Sequence, residues 1–113
     1  MTEESLKTLI ESTLEIPVFE GSDSIIYPAA TLECTDHPAG LIGDGKAVIR
    51  ETEAVINLWY ETKAPRDSGY KLLIAAIEAA GGATVPDIFN SYDTTAKKYR
   101  SVISFNFITR EET

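Results

Sequence analysis

The chain has 113 residues, 43% apolar and 25% charged, enough for one domain whose core needs neither metal nor disulfide. Its net charge of −8 weighs against tight binding to a phosphate backbone, which depends on clustered Lys and Arg. No apolar run approaches the roughly twenty residues that span a bilayer, so no membrane partner is expected.

The charge is uneven. Residues 1–60 hold eleven acids and three bases, whereas residues 61–113 hold seven of each. Such asymmetry suits head-to-tail packing of identical subunits, an acidic surface meeting a less acidic one. The single cysteine, Cys34, allows no intramolecular disulfide and fits a reducing compartment. The acidic, polar start MTEESLKTLIEST is unlike a signal peptide.

In chain order, residues 3–14 read as a helix capped by Thr2. Glu3 and Glu4 sit at its positive end, and Leu6, Leu9, Ile10 and Leu14 form one apolar stripe. Pro17 ends that pattern, a short extended piece Ile16–Phe19 follows, and Glu20 to Ser24 is turn chemistry. Ile25 to about Thr35 reads as a strand, with Ala30, Leu32 and Cys34 on one face and Thr31, Glu33 and Thr35 on the other. Asp36–Lys46, rich in Gly, Pro and Asp, reads as a loop.

Ala47–Thr62 then reads as one strand of sixteen residues, where about five or six is typical. Its second half is apolar, while Arg50, Glu51, Thr52 and Glu53 are four polar residues in a row. A strand alternates faces, so that run predicts water on both sides and a hairpin arm projecting from the domain. Lys63–Asp67 contains Pro65 and breaks the strand, after which Asp67 or Ser68 caps a second helix. Tyr70, Leu73, Ile74 and Ile77 form its buried stripe, and Gly81-Gly82 stops it. Thr84 to about Phe89 is a weak edge strand interrupted by Pro86. Lys97–Thr109 is the last strand, with Tyr99, Ile103, Phe105 and Phe107 on one face and Arg100, Val102, Ser104, Asn106 and Ile108 on the other. Glu111 to Thr113 is a loose tail. The expected fold is a single α+β domain over residues 1–113. Its order is αββαββ: an antiparallel four-stranded sheet, two helices on one face and a long projecting β-hairpin.

Candidate chemistry is sparse. Cys34, Asp36 and His37 are metal-ligand types, but there is one His and one Cys and no second cluster at zinc spacing. The plain reading is a small buried cysteine and a loop histidine. Gly43-Asp44-Gly45-Lys46 lacks the spacing and the hydroxyl residue of a phosphate loop and precedes a strand, so it reads as a hairpin tip. Glu51 and Glu53 share a strand face, yet acid–base work needs a pocket that shifts one pKa, and their neighbours are Arg50 and Thr52. The basic run Lys97, Lys98 and Arg100 reads as a solvated strand start. If Ile56, Leu58 and Tyr60 face the helices, then Val55, Asn57 and Trp59 face the open side of the sheet. There Trp59 serves either as an interface centre or as a cover for the sheet within the monomer, whereas a one-residue slip in register would turn it into the core and expose Leu58 instead.

The short acidic first helix followed by IPVFEG, the strand YPAATLECTDH, the long strand AVIRETEAVINLWYET, the helix SGYKLLIAAIEAA and the final strand YRSVISFNFIT resemble a family of long-tailed bacteriophages and prophages. These are the tail-terminator and tail-completion proteins, also described as minor capsid or head–tail joining proteins. The resemblance implies a virion component assembled in the host cytoplasm, a non-enzymatic homo-oligomeric ring, with a hexamer favoured. Such a ring ends the tail tube and contacts tail-tube and head-connector proteins. It implies no catalytic residue, no cofactor and no specific nucleic-acid binding, with an acidic lumen that repels passing DNA. Subunits of this kind are monomeric in isolation where assembly waits for the partner. The interface expected here is Arg50, Glu51, Glu53, Val55, Asn57 and Trp59. Two other classes fit the same layout: a small ferredoxin-like enzyme, and a ligand-binding or regulatory domain.

Overall fold

In a computed structural model, the structure describes residues 2–19, 28–42 and 47–112, with the side chains of 37–42, 47–50 and 109–112 outside the description. Helix α1 (Glu3–Leu14) begins where a capping box forms. The Thr2 hydroxyl accepts from the Ser5 amide at 3.1 Å, and the Ser5 hydroxyl accepts from the Thr2 amide at 2.8 Å. Its inward stripe buries Leu6 and Ile10 completely. Glu15 closes the helix in the left-handed region, at φ 55°.

Strand β1 (Val18–Phe19) comes next and pairs in parallel with β2 (Ala29–Ile42). Strand β2 runs antiparallel to β3 (Ala47–Tyr60), with a shift in register between Pro38 and Gly40. Helix α2 (Lys63–Ala80) crosses back, and β4 (Asp87–Asp93) and β5 (Lys98–Glu112) form a second antiparallel pair. The sheet order is β1-β2-β3-β5-β4. Both helices share one core with the sheet: Leu6 and Ile10, with Leu73 and Ile77 of α2, meet Leu32, Ile56, Leu58, Ile103 and Phe105. Each fully buried Leu or Ile contributes about 1.5–3 kcal/mol over exposure.

The expected antiparallel four-stranded sheet of αββαββ order is therefore corrected. The sheet is mixed and five-stranded, and the order is αβββαββ. The piece Ile16–Phe19 read as merely extended contains β1, and a single backbone bond from the Ala30 amide to the Pro17 carbonyl (3.0 Å) locks its entry. The hairpin arm is also revised, because β5 pairs with β3 along its whole length, from Tyr60↔Tyr99 to Ala47↔Glu112. The arm is a three-stranded ribbon. Residues 36–42 of the expected loop belong to β2, and Glu111 and Glu112 of the expected tail belong to β5. The hairpin tip expected at Gly43–Lys46 lies outside the described residues.

Smaller corrections have local causes. Helix α2 starts at Lys63 after Thr62, not at Asp67 or Ser68. Pro65 falls in the first turn, where its missing N–H has no intrahelical partner, so the helix accommodates it, and β3 has already ended at Tyr60. The edge strand starts after Pro86, at Asp87, and runs to Asp93. Asp93 Oδ1 accepts from the Thr95 and Ala96 amides and folds the β4–β5 turn, with Lys97 left-handed at φ 56°. Gly81 and Gly82 do end α2 with positive φ, 74° and 76°.

The long axis of the molecule is 52 Å against 28 and 22 Å. Fifteen residues of β5 at about 3.4 Å each account for nearly all of it. The described core reaches the row Thr52↔Phe107, and the β3–β5 ladder continues to Ala47↔Glu112, about 17 Å farther.

Candidate functional site: the open face of the sheet

Alternation along β3 sends Thr52, Ala54, Ile56, Leu58 and Tyr60 into the helix-side core. Glu51, Glu53, Val55, Asn57 and Trp59 therefore share the other face, which no described helix covers. The register that left the place of Trp59 open is thereby settled. Five of the six expected interface residues lie together. Arg50 takes its place in the ladder between Pro38 and Thr109, and its side chain lies outside the described residues.

The face is built of rows across the strands. Ala29, Trp59, Arg100 and Ser91 form one row, and Thr31, Asn57, Val102 and Phe89 the next. Glu33, Val55, Ser104 and Asp87 follow, then Thr35, Glu53 and Asn106. Successive rows are about 7 Å apart. The first row is cationic at Arg100, and the later rows carry Glu33, Asp87, Glu53 and then Glu51. Between them lie Val55 and Val102, half-buried, and Phe89, 68% exposed.

Arg100 organises the cationic end. Its guanidinium lies 5.0 Å from the centre of the Trp59 ring, and its Nε and Nη2 donate to Asn57 Oδ1 at 2.9 and 2.5 Å. Stacking and a shared acceptor hold a long side chain flat on the sheet. Ala29, the cross-strand neighbour of Trp59, is fully buried, so the indole also covers sheet within the monomer. The expectation that Arg100 belongs to a solvated strand start does not describe this geometry. The sequence signal was the face assignment of Arg100 together with Asn57 and Trp59, which only strand pairing could join.

At the acidic end, Asn106 Nδ2 donates to Glu51 Oε1 at 2.9 Å. A cleft of about 260 Å³ opens beside it, lined by Glu53, Thr84, Asp87, Ser104 and Asn106 among others. The polar run Arg50–Glu53 does not have water on both sides as expected. Thr52 is 4% exposed on the helix side and donates its hydroxyl to Asp36 Oδ1 at 2.7 Å. Cys34 packs against the core, Asp36 is occupied by Thr52, and the side chain of His37 lies outside the described residues. Among the described residues no group of three or more His, Cys, Asp or Glu is arranged to hold a metal ion.

Sequence reading missed Arg66. It is 6% exposed in the first turns of α2, where Nε donates to Asp67 at 2.7 Å. Its Nη1 donates to the carbonyls of Ser91 and Arg100 at 3.3 and 3.2 Å, and the guanidinium sits 5.6 Å from the Tyr99 ring. It ties α2 to β4 and β5. Its spacing from Gly69, Leu73 and Ile77 on one helix face was the available clue.

Edge strand β4 is uncovered on both faces at Ile88 (44% exposed) and Phe89. No described helix is long and apolar enough to cross a membrane. Compared with known protein families and with curated proteins, the chain matches no family model and no curated protein.

Proposed function

We propose that this chain is a non-enzymatic assembly protein of a long-tailed phage or prophage, a tail-terminator or head–tail joining component that acts as a homo-oligomeric ring. The supporting observation is a sheet that outruns its helices. It leaves the face from Glu51 to Trp59 and the apolar edge strand β4 without cover from the rest of the described chain, while the β3–β5 ladder runs on to Ala47↔Glu112. Uncovered apolar surface and free strand edges are what subunit contacts consume. On this reading Glu51, Glu53, Val55, Asn57 and Trp59, with Arg50 on the arm, meet a neighbouring subunit or the adjoining ring. The acidic first half of the chain faces the passage for DNA. The hexamer, the tail-tube and connector partners and the virion location follow from the resemblance and belong to the proposal.

The test combines the purified chain with a phage tail-tube protein, read by native mass spectrometry and electron microscopy. Rings capping tube ends are expected, and Trp59→Ala is expected to reduce capping. A chain that leaves tubes uncapped and binds no tail or connector component would refute the reading.

A further inference from the structure

We propose that the open face pairs with the same face of a second copy of this chain about a two-fold axis lying between the sheets and perpendicular to the strands. Charge order along the face supplies the argument. Such an axis reverses strand direction and keeps β3 over β3 and β5 over β5. Centred between the rows of Asn57 and Val55, it places the Trp59–Arg100 row over the Glu53–Asn106 row of the second copy. Arg100 leans from β5 across Trp59 towards β3, as its contacts with Trp59 and Asn57 require. Its guanidinium therefore comes over the position of Glu53 on the opposing sheet. Symmetry makes the exchange twice.

Near the axis Val55 meets Val102, with Asn57 and Ser104 beside them; on the outer strands Glu33 falls over Thr31 and Asp87 over Phe89, at the rim of the contact. An axis along the strands would instead keep each row over itself and set Arg100 over Trp59 and Glu53 over Asn106, so it would bring no cation over an acid. The Arg100–Glu53 exchange therefore favours the antiparallel pairing. Four strands at about 4.8 Å and rows over about 30 Å give a patch of roughly 500–600 Å². That is somewhat below the ~800 Å² per partner of a standard stable interface. The pair is accordingly concentration-dependent, with sheets packed about 10 Å apart as in an aligned sandwich. Arg100 is already immobilised on Trp59, which lowers the ordering cost of the contact.

This inference rests on the reading of the chain as a self-associating assembly protein, but not on the identity of the tail partner. A two-fold pair consumes the open face, so growth into a ring would use the β4 edge.

Sedimentation of the purified chain alone, from micromolar to about 1 mM, tests it, since even a millimolar contact is populated there. A monomer–dimer equilibrium is expected, with emission of the single tryptophan, Trp59, shifting to the blue as dimer forms. Arg100→Glu and Glu53→Arg should each weaken dimerisation at least tenfold, and the double variant should return to within a few-fold of wild type. Because Arg100→Glu also removes the contacts to Asn57 and Trp59, Glu53→Arg serves as the variant that leaves them intact. Circular dichroism checks the fold of each. A wild type that stays monomeric throughout, a dimer indifferent to Glu53→Arg, or a folded double variant without recovery each overturns the inference. Tube capping by a monomeric wild type would overturn it while leaving the proposed function standing, and dimers that never cap tubes would do the reverse.

Discussion

Gly69 of α2 packs against the ring of Tyr60 at the end of β3. A Cβ built there would sit 2.6 Å from Tyr60 Oη, 3.0 Å from Cζ and 3.2 Å from Cε2. Tyr60 is 8% exposed and part of the core, so its ring cannot simply swing into solvent. Gly69→Ala therefore sets two effects against each other. Alanine in a helix interior gains about 0.5–1 kcal/mol over glycine, whereas overpacking a filled core costs about 1–3 kcal/mol. Contact at 2.6 Å places this site in the costly range, and the net expectation is a loss of about 1–2 kcal/mol. Tyr60→Phe removes the nearest atom and leaves 3.0 Å as the tightest approach, which a few tenths of an ångström relieve. On that background Gly69→Ala should be close to neutral, giving a coupling of about 1 kcal/mol or more in a double-mutant cycle. Urea unfolding of the four proteins measures it. Stabilisation by Gly69→Ala in the presence of Tyr60, or additivity within about 0.5 kcal/mol, would refute the reasoning.

The same tyrosine predicts a pH dependence. Burial raises its pKa above the ordinary 10.0, so the folded state holds the proton longer than the unfolded chain. The corresponding stability is complete below the unfolded value and is lost as pH rises through the folded one, so Tyr60→Phe should lose less stability than wild type above pH ~10. Arg66→Met should cost about 2–3 kcal/mol in urea unfolding, since hydrogen bonds from a charged donor to Ser91, Arg100 and Asp67 are lost. Its signature should be faster hydrogen exchange along β4, and unchanged β4 protection would count against the clamp. The Thr52–Asp36 bond should show an asymmetry. Asp36→Ala leaves a buried hydroxyl without its acceptor and should cost about 1–2 kcal/mol, whereas Thr52→Val removes the hydroxyl itself and should cost less. Equal losses would contradict it.

Much of the local structure was legible because it is governed by local rules. Thr2 before a periodic run made the first helix readable, Gly81-Gly82 marked the end of the second, and strict alternation from Tyr99 to Ile108 assigned both faces of β5. Three features were not legible for definable reasons. Two residues of β1 are too few for a periodic pattern, so only pairing with Ala30 and Thr31 makes them a strand. Residues 36–42 carry Pro and two kinds of turn former, yet β2 continues through them with a shift in register. Pro65 reads as a breaker in sequence, and whether it ends one element or opens the next depends on where the chain turns.

The candidate face divides the same way. Sequence alone placed Val55, Asn57 and Trp59 together and set Glu51 and Glu53 beside them, because a strand's faces alternate whatever it pairs with. It also determined the acidic balance and the absence of any zinc-spaced cluster of Cys and His. Only the tertiary structure brought Arg100 onto Trp59 and Asn57, since residues forty-three apart meet only through the β3–β5 ladder. That ladder also turned a list of charges into an ordered face, cationic at one end and acidic at the other. Burial then decided what polarity could not: Thr52, one of four polar residues in a row, belongs inside, because Asp36 across the strand receives its hydroxyl.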